Sequence, residues 1–294
     1  KGYPESYELI KEKGYLIFLI SPSIYNGALN SQISEIIMSE KTRMLINDIK
    51  DTELSYMKHL KKMNISTVNF DDLGEGRILA DLLFDSFYAE EKSGLREYFG
   101  PRYVVLRDEF IRRKERRGNI SQPVRSLAVL MGSTNAGNYL EKIFKALVRL
   151  PDNIECHIIL GKNVANSELY QLDYPRKNFL FHYQPENIAE LFSQVDLAVT
   201  AGGISMCETC ILGIPTLVIP QVPHESQNAK VFEKFGAVFA LDYNPDISEH
   251  EIHTPLIRLI QDHEKRKKLS QHARQIVDGK GLERIVDIIL SRLM

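Results

Sequence analysis

Cysteine is scarce: three residues in 294 cannot build a disulfide framework, so a reducing cytoplasm is the expected compartment. Charge of one sign is lacking too. With 37 Lys and Arg against 39 Asp and Glu, the formal net charge is −2 and no global field draws in nucleic acid or an anionic membrane. Any bound anion must be held locally. Apolar runs such as Tyr15–Ile20 fall far short of a membrane span, and neither internal repeats nor low-complexity segments occur. No His or further carboxylate stands at metal-binding spacing beside the acidic pair Asp71-Asp72, so no metal or other cofactor is expected. The chain opens at Lys1 without a leader or an initiator Met and reads as a fragment.

What is present is a hydrophobic content of 44% and a length beyond that at which a single core keeps growing, which favours two domains. Short apolar runs alternate with longer amphipathic stretches, the pattern of parallel sheets with helices on their faces. Strands are expected at Tyr15–Ser21, Met44–Asn47, Ile65–Phe70 and Leu82–Phe84, then at Leu127–Met131, Glu155–Leu160, Asn178–Tyr183, Leu197–Thr200, Thr216–Ile219 and Ala237–Leu241. The charged stretch Asp108–Arg125 lacks a core-facing period and reads as the connection between an N-terminal domain, 1–115, and a C-terminal nucleotide-binding domain, 116–294. The tail is helical, and its last helix, Leu282–Met294, is amphipathic enough to pack back on the N-terminal domain.

The segment Asp196–Pro220 carries the chemistry. A buried strand runs into Gly202-Gly203, where the backbone can turn sharply and approach a ligand; Ile204 and Ser205 then open a helix whose free N–H groups favour phosphate oxygens. Glu208, about one and a half turns into that helix, can accept two ribose hydroxyls. Gly213 and Pro215 end the helix, and after the next strand Pro220 and Pro223 flank a loop that presents His224, Glu225, Gln227 and Asn228, whose amides and imidazole suit sugar and phosphate oxygens. Gly132 and Ser133, after the first strand of this half, suit a diphosphate, and the loop His182–Asn187 could offer backbone groups to a pyrimidine. Taken alone, a glycine pair is an ordinary strand-to-helix turn, Glu208 a solvated helix residue and Asp71-Asp72 a helix cap; the combination is what points to a nucleotide sugar. Cys207 and Cys210 form a C-x-x-C inside the predicted helix and read as buried core residues, while the basic cluster Arg112–Arg117 reads as a solvated helix.

These residues resemble the C-terminal domain of GT-B nucleotide-sugar enzymes: Gly202, Gly203, Glu208, Gly213, Pro215, Gln227, Asn228 and Ala229 meet that pattern. Within the group the sequence looks most like the UDP-sugar hydrolases of pseudaminic acid biosynthesis and the related spore-coat polysaccharide proteins, a likeness that extends to Phe70-Asp71-Asp72, Ala80-Asp81-Leu82 and Gly100–Phe110. The resemblance implies an α/β protein with two Rossmann-like domains whose parallel sheets face a cleft. It makes Asp71 and Asp72 catalytic candidates and Tyr103 and Arg107 sugar-binding candidates along that cleft. It implies a UDP-sugar as ligand and hydrolysis of a UDP-linked deoxy amino sugar in nonulosonic acid or surface polysaccharide biosynthesis. One element of the family is missing: no glycine-rich loop with a catalytic His precedes Tyr15. Two alternatives stand beside hydrolysis, a glycosyltransferase using a UDP-sugar donor and a non-catalytic binding module from a longer protein fused to a cytidylyltransferase.

Overall fold

Short apolar runs bounded by glycine, proline and charge become parallel strands, and the amphipathic stretches between them become helices that cover the sheets. The computed structural model describes residues 4–20, 28–88, 92–93, 96–114, 120–132, 139–161 and 178–293. The chain divides into two units, one comprising Lys1–Phe84 with 94–97, the other Asp85–Ser93 with Tyr98–Arg292.

The smaller unit opens with helices α1 (Pro4–Glu12) and α2 (Ala28–Ser39), followed by β1 (Met44–Asn47), α3 (Leu54–Lys62), β2 (Ser66–Phe70), a 3-10 turn (Glu75–Leu79) and β3 (Leu82–Asp85). The three strands run parallel, with Ile46 opposite Val68 and Asn69 opposite Leu83. Tyr56, Met57 and Leu60 of α3 bury against Ile37, Ile65 and Ala80. The expected strand at Tyr15–Ser21 does not form over its described residues, 15–20: Tyr15, Leu16 and Leu19 are 67%, 75% and 72% exposed. The run has strand composition, but among the described residues no neighbouring strand pairs with it, and an unpaired strand leaves its backbone to water.

In the larger unit β4 (Lys92–Ser93) and β5 (Glu97–Phe99) pair antiparallel. After a 3-10 turn (Pro101–Tyr103) come α4 (Asp108–Ile111), β6 (Ser126–Leu130), α5 (Tyr139–Leu147), β7 (Glu155–Leu160), β8 (Phe179–Tyr183), α6 (Ile188–Gln194), β9 (Leu197–Thr200), α7 (Ile204–Ile211), β10 (Thr216–Val218), α8 (Pro223–Lys234) and β11 (Phe239–Ala240). Helices α9 (Glu249–Gln261), α10 (His263–Ile276) and α11 (Gly281–Leu293) follow. Six strands form one parallel sheet in the order β11-β10-β9-β6-β7-β8. Its central strands are apolar over their middle residues because both faces are covered: Leu127 and Val129 enter one core with residues of α5 and α9, Ala128 and Leu130 the other with residues of α6, α7 and α8.

The stretch read from sequence as a connection belongs in its described part to this unit. Phe110 is fully buried and packs on Phe192, Arg113 pairs with Glu190, and Lys114 donates to the Asp278 carbonyl. One aromatic among nine charged residues was enough to anchor it, and periodicity does not register a single contact. Cys207 and Cys210 lie in the core beneath α7, as their place in a helix suggested.

Between α10 and α11, Asp278 accepts from Arg284 Nη1 at 2.8 Å and from the Lys280 N–H at 3.0 Å. The hydrogen bond from Arg284 is the main reason its carboxyl is pulled down to about 2. A depressed carboxylate stabilises above its unfolded pKa of about 3.9 and loses that contribution as pH falls toward the folded value. Because the pair is about a third exposed, Asp278→Asn should cost only about 1 kcal/mol at pH 7. Urea denaturation should show that difference shrinking between pH 4 and pH 2.

Candidate functional site

At the carboxyl ends of β9 and β10 two helices begin side by side. Strand β9 ends at Thr200, and the chain turns through Gly202 and Gly203 into α7. Gly202 is buried because α8 lies against it: a Cβ there would stand 2.3 Å from the Glu225 carbonyl oxygen. Gly203, extended at φ −110°, has open space, its nearest neighbour being Glu225 Oε1 at 4.0 Å. Among the described residues no side chain caps the start of α7, and Ile204 is 46% exposed. Two glycines adjacent in sequence therefore serve different needs, one close packing and the other an open approach to uncapped amides.

Expected as loop residues, His224, Gln227 and Asn228 lie instead in the first turns of α8, which starts at Pro223. Proline at the first helical position is itself a start signal, since its fixed φ suits the helix and its missing N–H would have had no partner there. His224 and Gln227 are exposed; Asn228 is half-buried and donates to the Gly202 carbonyl at 3.1 Å. Glu225 Oε2 accepts the Gln221 N–H at 2.7 Å, and Gln221 Nε2 donates to the Met131 carbonyl at 2.6 Å. Met131 precedes Gly132, whose φ of +81° makes a tight turn at the end of β6; Ser133, expected beside it, lies outside the described residues. Gln221 escaped the sequence reading because it follows an apolar strand with no periodic or motif context of its own.

Glu208 is buried within α7 rather than solvated, and its Oε1 accepts Arg107 Nε at 2.8 Å across 101 positions of sequence. Arg107 is half-exposed; its Nη1 also meets Glu109 at 2.8 Å and its guanidinium lies over the Phe110 ring at 4.9 Å. Burial raises the Glu208 carboxyl above the usual carboxylate range, and the Arg107 hydrogen bond opposes that shift. Two residues expected to hold different parts of one ligand thus hold each other in this structure.

The remaining candidates separate. Asp72 is fully buried, accepting from the Thr52 N–H (3.0 Å), Thr52 Oγ1 (2.6 Å), Asn69 Nδ2 (2.6 Å) and the Gly74 N–H (2.9 Å). Its oxygens organise the loop after β2. Its neighbour Asp71 is half-buried at φ 45°, a left-handed conformation that Asp tolerates better than most residues. Tyr103 is buried, edge-on to Tyr98 at a centroid distance of 5.8 Å, and so packs rather than presenting its ring to solvent. In the loop after β8, Asn187 caps α6 by accepting the Glu190 N–H at 3.0 Å. Among the described residues no group of three His, Cys, Asp or Glu could hold a metal ion, and no helix is long and apolar enough to cross a membrane.

A parallel α/β sheet with a glycine turn and a buried carboxylate at its carboxyl edge has the form of an open α/β fold, whose crevice lies at the carboxyl ends of the strands. Over 97% of this chain and 88% of the other, the fold matches Acinetobacter baumannii MurG, with a TM-score of 0.65 at 14% identity. Residues 126–287 match the glycosyltransferase family 28 C-terminal domain, and the chain belongs to that family. It is 26% identical over 264 residues to the spore coat polysaccharide biosynthesis protein SpsG of Bacillus subtilis (strain 168), covering 86% of this chain and 78% of that one. It is also 27% identical over 176 residues to a UDP-N-acetylglucosamine–N-acetylmuramyl-(pentapeptide) pyrophosphoryl-undecaprenol N-acetylglucosamine transferase of Acetivibrio thermocellus, covering 55% of this chain and 46% of that one.

The two glycines can be told apart by substitution. Gly202→Ala sets a methyl against a backbone carbonyl that cannot yield without moving α8, an overpacking cost of about 1–3 kcal/mol. Gly203→Ala should leave stability within about 1 kcal/mol of the parent, since its backbone is accessible to any residue. Equal losses for the two in chemical denaturation would contradict this division.

Proposed function

We propose that the larger unit binds the nucleotide of a UDP-sugar and that the chain serves glycosyl transfer in surface polysaccharide synthesis. The observation that carries the reading is a carboxylate, Glu208, buried a turn beyond an uncapped helix start in a family 28 domain. In this reading the amides of Ile204 and Ser205 and the positive end of α7 take the diphosphate, with the Gly132 turn beside them. Glu208 accepts the ribose hydroxyls, its hydrogen bond from Arg107 giving way to theirs and releasing the guanidinium toward the phosphates. His224, Gln227 and Asn228, on the first turns of α8, face the sugar. Of the acidic pair, Asp71 is retained as the candidate proton acceptor, because every oxygen of Asp72 is already committed to the loop that holds it.

Transfer is favoured over hydrolysis because the family is a glycosyltransferase family and the Acetivibrio relative is named as a transferase. Neither a nonulosonic acid substrate nor fusion to a cytidylyltransferase draws support from these relatives. The two reactions differ in their acceptor: incubation with a panel of UDP-sugars should release UDP only when a hydroxyl acceptor is supplied, whereas release into water alone would restore hydrolysis. Glu208→Ala should weaken UDP binding by about 1.5–3 kcal/mol, the loss of charge-assisted hydrogen bonds to ribose. Titration calorimetry on a variant whose circular dichroism matches the parent measures this, and unchanged affinity would sink the assignment of Glu208.

A further inference from the structure

Gln221 ties three parts of the proposed site together. Its backbone N–H donates to Glu225 Oε2 on α8 at 2.7 Å, and the carbonyl of that same Glu225 lies against Gly202 at the start of α7. Its side-chain Nε2 donates to the Met131 carbonyl at 2.6 Å, next to the Gly132 turn at the end of β6. Gln221 is only 7% exposed, yet its Oε1 has no hydrogen-bond partner among the described residues. Thr200, fully buried at the end of β9, has an unpartnered Oγ1 as well. Thr200 is registered between Leu130 on β6 and Val218 on β10, so both orphaned oxygens sit at the carboxyl ends of adjacent strands.

A buried acceptor without a donor is costly, and most buried polar atoms do have partners. The amide could avoid the penalty only by abandoning Met131. Such an atom is explained most simply by a donor that arrives with the ligand. Resting on the nucleotide-sugar reading, we propose that Gln221 is a further positioning residue of the site: Nε2 holds the Met131–Gly132 turn in place, and Oε1 accepts a hydrogen bond from the bound nucleotide sugar, directly or through one water. A hydroxyl or N–H of the ligand is the chemistry that fits, because an amide oxygen can only accept. Phosphate oxygens are excluded from Oε1 on the same ground and are left to the backbone amides.

Gln221→Met keeps the length of the side chain and removes both its donor and its acceptor. In the free protein the variant loses one hydrogen bond and sheds one orphaned acceptor, so its melting temperature should stay close to that of the parent. Affinity for UDP or for UDP-N-acetylglucosamine, titrated into parent and variant by calorimetry, should fall about fivefold to tenfold, as for the loss of one or two hydrogen bonds. A lowered melting temperature with unchanged affinity for both probes would make Gln221 a structural residue only and overturn the proposal. If Gln221→Met does not fold, Gln221→Asn keeps both functional groups on a shorter stem and should show the same loss of affinity. Failure of the parent itself to bind either probe overturns the nucleotide-sugar reading and this inference with it, whereas binding by the parent with no change in a folded variant overturns this inference alone.

Discussion

The carbonyl oxygen of Glu225 stands 2.3 Å from the place a Cβ would occupy on Gly202. That approach of one backbone to another brings the starts of α7 and α8 together at the carboxyl edge of the sheet. It needs glycine at the first position of the pair, and Asn228 then fastens the arrangement by donating to the Gly202 carbonyl. Once the two helix starts are joined, Gly203 is left open, the amides after it are uncapped, and the Glu225 carboxylate is placed to receive Gln221. The proposed ligand contacts depend on this packing before they depend on any charged group.

Arg107 and Glu208 add an electrostatic layer. A carboxylate this deeply buried carries a desolvation cost, and the single hydrogen bond from Arg107 offsets part of it. Arg107 is itself half-exposed and rests over Phe110, so the pair joins a buried anion to a cation that water can still reach. In the proposed function, a ligand that supplies two hydroxyls to Glu208 competes with one guanidinium N–H rather than with empty space.

Much of the architecture was legible in the residues. Met44–Asn47, Glu155–Leu160 and Leu197–Thr200 form strands over the expected ranges: each is short and flanked by charge or glycine, although only Leu197–Thr200 is buried along its whole length. Three features were not legible, each for a nonlocal reason. Tyr15–Ile20 has strand composition, but a strand needs a partner that its own sequence does not describe. Pro223 marks a loop boundary and a helix start equally well in the sequence, and it opens α8 because of what packs against the next turn. The pairing of Arg107 with Glu208 joins residues more than a hundred positions apart, and their separate expected roles gave no sign of it. Asp72, expected as a catalytic candidate or a helix cap, instead accepts four hydrogen bonds around a turn, which its place after a strand does not announce.

In the proposed function the open amides after Gly203 and the buried carboxylate of Glu208 receive one nucleotide. This is tested most directly by following backbone amide chemical shifts while UDP is added to the labelled protein. The resonances of Gly203, Ile204 and Ser205 should move together with the side-chain Nε resonance of Arg107, all along one saturating curve, as phosphate meets the amides and ribose displaces the guanidinium. Saturable UDP binding that leaves those four signals in place would contradict it.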